Sequence, residues 1–140
     1  MLGKDYAGPG TFQADGRNPR PFCGDANPNC HGDSHTDGEV WLGAAWKVRQ
    51  NLKNSQGDAL GSVIADTLFL SWMEAFDQTE LKSIIEKQWL ILDDLMDDGQ
   101  VNLCKPPTAP TPHFAEIDLG FRAQGFPGFP GPDDPLCLPL

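Results

Sequence analysis

A chain of 140 residues with a formal net charge of −10 and a pI of about 4.4 is long enough for one domain with a modest core, and it repels nucleic-acid backbones. It has no apolar run of about 18 residues that could span a bilayer, and no basic amphipathic helix for an anionic membrane surface. Hydrophobic residues make up 39%, and the 15 Gly and 13 Pro gather at the two ends, so the packed part is expected in the middle.

Residues 1–35 carry Gly, Pro, Asn and Asp at loop density and read as an irregular segment. Met1–Gly10 has no apolar stretch and soon meets Asp5 and Pro9, so it does not read as a signal peptide. The chain is then expected either to be cytoplasmic or to begin inside a longer, extracytoplasmic one. Four cysteines, Cys23, Cys30, Cys104 and Cys137, form no C-x-x-C motif and allow three full disulfide pairings. Cys23 with Cys30 would close a short loop, and Cys104 with Cys137 would tie the Pro-rich tail. Such bridges imply an oxidising compartment.

The first helix is expected to open at Thr36, because Thr36-Asp37-Gly38-Glu39 fits a capping box. Val40, Trp41, Ala44, Ala45, Val48 and Leu52 then recur at helical spacing, with Lys47, Arg49 and Lys53 toward the C-terminal end. A second helix is predicted over about 58–76, with a stripe of Leu60, Val63, Ile64, Leu68 and Ala75 and with Trp72 close by. A third is predicted over about 79–92, carrying Leu81, Ile84, Ile85, Trp89 and Leu92, with Asp77 and Glu80 as its capping box. A fourth starts at Thr111-Pro112, buries Phe114, Ile117 and Phe121, and ends at Gly125.

Residues 126–140 read as a Pro/Gly-rich tail, either a linker or disordered. No segment alternates with period two. The expected fold is all-α: a small four-helix orthogonal or bundle-like domain over residues 36–125, with the tryptophans in its core and His113 as a satisfied cap residue.

Two polar clusters could carry chemistry. His31 and His35 are spaced like the histidines of HExxH, but Gly32 replaces the Glu and the pair precedes a helix cap. The sharper reading is a metal site of His31, Asp33, His35 and Asp37; the simpler one is a solvated loop whose Asp and Ser side chains make turns. Asp93-Asp94-Leu95-Met96-Asp97-Asp98-Gly99 resembles half of a calcium loop, yet Met96 and Lys105 fall where an EF-hand needs oxygen ligands. An improvised calcium site at Asp94, Asp97 and Asp98 is the alternative to an acidic loop after the third helix. No nucleophile elbow, P-loop or dinucleotide motif occurs.

The stretch from Asp33 to Trp46, with His35-Thr36-Asp37-Gly38-Glu39-Val40-Trp41 at its centre, resembles the downstream helical region of gluzincin zinc metallopeptidases of the fungalysin-like and thermolysin-like type. In these a His-x-x-Gly-Glu-Val/Ile-Trp stretch opens a helix, and a second aromatic follows. Asn102-Leu103, Thr111-Pro112-His113-Phe114 and Phe121 are similar to a later Asn-Leu…Thr-Pro-His/Asn sequence of bacterial relatives. The resemblance covers about residues 33–125.

It implies that His35 donates a hydrogen bond to the oxyanion of the tetrahedral intermediate, a role worth about 2.7–4 kcal/mol in the barrier. Glu39, Trp41 and Trp46 are read as structural residues, the tryptophans as core. Thermolysin-like enzymes orient this His with an Asp five residues earlier; Cys30 stands there, so Asp33 is the nearest partner. The chain contains no HExxH, so the resemblance implies zinc held by ligands outside it, on an N-terminal half of the catalytic domain, with peptide as substrate and secretion as the setting. By itself the chain is then not expected to hydrolyse peptides. The competing expectation is a non-catalytic extracellular helical module, stabilised by calcium at the acidic cluster.

Overall fold

The computed structural model describes residues 21–26, 34–77, 81–98 and 111–129. Among them are four helices and no strand: α1 (Ser34–Gln56), α2 (Asp58–Ala75), α3 (Ile84–Asp98) and α4 (Phe114–Ala123). The all-α expectation holds. α1 packs on α2 and α4, and α3 packs on the same two helices from the opposite side. The helices therefore form a ring in which α1 and α3 are diagonal.

Two glycines set how closely the ring closes. A Cβ on Gly61 of α2 would collide with the Leu52 carbonyl in the last turn of α1. A Cβ on Gly120 of α4 would lie 2.7 Å from the Val48 backbone nitrogen. Backbone thus meets backbone on both flanks of α1, and Val40, Ala44, Val48 and Leu52 are buried between the flanks.

The predicted boundaries change at three helices. α1 begins at Ser34, so Thr36 and Glu39 lie inside the helix and are not its capping box. Ser34 is itself a strong helix-start residue, preceded by another, Asp33. α3 begins at Ile84, after the predicted Asp77–Glu80 box, and runs on to Asp98. Its start is fixed from far away: the Asp25 carboxylate accepts the Ser83 backbone N–H at 2.8 Å and the Ser83 hydroxyl at 2.5 Å. An aspartate from the N-terminal segment thereby does the work of a local cap. α4 begins at Phe114, with Thr111-Pro112-His113 forming a turn before it.

The buried face of α2 also differs. Gly61, Ala65, Leu68 and Trp72 face the core, whereas Leu60 and Val63 are more than half exposed and Ala75 is exposed. α2 is apolar on nearly every side, so periodicity alone leaves its rotation open. The close approach at Gly61 selects it.

The core reaches beyond the span 36–125. Gly125, in the left-handed region at φ +92°, closes α4 in a Schellman motif: Phe126 N–H donates to the Phe121 carbonyl and Gly125 N–H to that of Arg122. The turn brings Phe126 onto Phe121, with ring centroids 5.0 Å apart. Phe22, Phe126 and Phe129 are all buried, so parts of the expected irregular segment and tail are core. No helix among the described residues is long and apolar enough to cross a membrane.

Candidate functional site

His35 falls in the first turn of α1. Its side chain, and all of Asp33, lie outside the described residues, as do His31 and the side chain of Asp37. One turn later Glu39 is half-buried. Trp41 stacks on Phe69 at 4.8 Å and leans on Trp72 at 4.9 Å. Trp72 in turn donates its indole N–H to Gln88 Oε1 at 2.8 Å, which ties α2 to α3. Trp46 carries the Arg49 guanidinium 5.5 Å from its ring centroid. Arg49 also pairs with Asp66 of α2. The helix that carries His35 is thus braced by aromatic and cationic contacts along its length.

The acidic cluster is helical: Asp94 and Asp97 lie in the last turns of α3, not in a loop after it. Asp94 is fully buried and Asp97 is exposed, while the side chain of Asp98 lies outside the described residues. Among the described residues no group of three or more His, Cys, Asp or Glu could hold a metal ion. Cys23 is disulfide-bonded. Cys30, Cys104 and Cys137 lie outside the described residues.

The structure assembles a pair that sequence reasoning did not: Asp93 and His113. Asp93 is 1% exposed. One of its oxygens accepts the His113 backbone N–H at 2.8 Å, and the other lies 2.7 Å from His113 Nδ1. A carboxylate can only accept, so Nδ1 carries the proton in this bond. The hydrogen bond to Asp93 raises the His113 pKa above its ordinary value of 6.5. Burial opposes the rise, and the charges of Asp93, Glu116 and Asp97 add to it. The available signal was the register of Asp93: it shares the buried side of α3 with Trp89 and Leu90, where a carboxylate needs a partner.

Another buried acid stands two turns earlier on the same side of α3 as Asp93. Glu86 of α3 is 2% exposed and its pKa is pushed up to about 9, first by burial and then by its hydrogen bond to Asp118. Neutral Glu86 is the donor, because Asp118 already accepts from the Phe129 N–H at 3.0 Å and from Arg122 Nε at 2.7 Å. Asp118 is therefore a hub that joins α3, α4 and the segment after α4.

A surface groove of about 360 Å³ runs between α1 and α4, lined by Asn51, Asn54, Ser55, Ala115, Glu116 and Leu119. It offers amide and hydroxyl groups but one titratable side chain, and so carries no catalytic set. Comparison with protein-family models, with curated proteins and with solved structures finds no match to this chain.

Proposed function

We propose that this chain is the helical subdomain of a secreted, gluzincin-type zinc metallopeptidase, with His35 as donor to the oxyanion of the transition state. The observation that carries the reading is the His35-x-x-Gly38-Glu39-Val40-Trp41 stretch at the opening of a long helix, the arrangement the resembled family uses. A histidine in the first turn of a helix projects from a rigid element, which suits a donor that must be in place before charge develops. The braced Trp41 and Trp46 keep that helix from shifting. The disulfide at Cys23 supports an oxidising, extracytoplasmic setting. The zinc ligands and the general base would come from an HExxH-bearing partner region, because the chain has no such motif.

The test uses the complete gene product. Peptide hydrolysis should be abolished by chelation and restored by zinc, and His35→Ala should lower kcat about 10²–10³-fold with little change in KM. Activity that survives His35→Ala unchanged would remove the role assigned to His35. A complete product with no HExxH and no hydrolysis would leave a non-catalytic helical module instead.

A further inference from the structure

The Asp93–His113 pair joins the last turns of α3 to the residue that starts α4. Both Asp93 oxygens are taken by this one residue, through its backbone N–H and its ring. The carboxylate has almost no solvent to fall back on, so the strength of the join depends on what the ring presents to it. An imidazolium meets the carboxylate with charge and hydrogen bond together, a neutral imidazole with the hydrogen bond alone. Among the described residues, the charged groups that act on the ring are Asp93 and Asp97 from α3 and Glu116 from α4, all carboxylates.

We propose that this pair is a proton-operated clasp: protonated His113 holds the start of α4 against α3, and loss of the proton loosens that join. The folded protein raises the affinity of His113 for its proton. The clasp is therefore fully made below the ordinary imidazole value of 6.5, and it is lost as pH rises through the higher folded value. The Ile117 N–H, which donates to the His113 carbonyl at 3.1 Å, lies directly downstream and reports on it.

The experiment is NMR on the full chain. The His113 Cε1 resonance should titrate above 6.5 in the wild type and shift down in Asp93→Asn. Amide exchange at Phe114 and Ile117, corrected for intrinsic rate and normalised to α1 amides, should quicken about fivefold between about pH 5.5 and about pH 9. His113→Gln should abolish that pH dependence. A His113 that titrates at or below its ordinary value overturns the proposal, as does a His113→Gln protein with the wild-type exchange profile. Should His113→Gln fail to fold, the wild-type titration and exchange profile decide the matter by themselves.

Discussion

Phe22 and Phe126 lie face to face, with ring centroids 4.3 Å apart and planes within 6° of parallel, and the Phe22 N–H donates to the Gln124 carbonyl at 2.8 Å. A residue before the first helix and one after the last thus form a single layer over α4. Phe126 also meets Phe121 edge-on, so its ring is held on two sides. Phe126→Ala should destabilise the protein by about 3–4 kcal/mol. Urea unfolding should show a lower midpoint at an unchanged slope. A loss under about 1 kcal/mol would mean that the layer adds little to the core.

Gly120 and Gly38 provide a matched pair, both inside helices. A Cβ at Gly120 would press into Val48, while one at Gly38 meets nothing within 4 Å. Gly120→Ala should therefore cost about 1–3 kcal/mol despite the better helix propensity of Ala. Gly38→Ala should gain up to about 1 kcal/mol from that same propensity. Thermal unfolding of the two variants side by side checks both signs; equal shifts would refute the close crossing of α1 and α4.

Glu86 gives a pH signature of its own. Its folded pKa of about 9 lies above the unfolded value of 4.5, so the folded state binds the extra proton between these limits. The stability it contributes is complete below 4.5 and is lost progressively until pH passes the folded value. Glu86→Gln keeps the shape and the donor to Asp118 but cannot ionise. It should match the wild type near pH 4 and exceed it by about 1–3 kcal/mol near pH 8, as read from urea midpoints across pH. A constant offset at all pH values would show that Glu86 is ionised in the folded protein.

Local signals in the sequence located the helices well. Gly125 stands where the chain turns out of α4, and of the α1 stripe Val40, Ala44, Ala45, Val48 and Leu52 are buried as their spacing implies, with Trp41 half-buried beside them. What the sequence hid was settled by distant residues. The start of α3 depends on Asp25, and no window around residue 80 contains it. The rotation of α2 depends on contact with Leu52, because its own residues are apolar almost all round. His113 looked like an ordinary cap, since its partner lies twenty residues back on another helix. For the functional reading the balance differs: the motif around His35 is legible in the sequence, and its side-chain geometry lies outside the described residues.

The stacking of Phe22 on Phe126 also orders events during synthesis. The ribosome releases Phe22 before the four helices and Phe126 only after them, so Phe22 waits for its stacking partner until all four have been made. The aspartate that starts α3 lies three residues from that ring, and Cys23 lies beside it. Until the turn at Gly125 emerges, the layer over α4 cannot close, so Asp25 can reach the start of α3 before Phe22, three residues away, can reach Phe126.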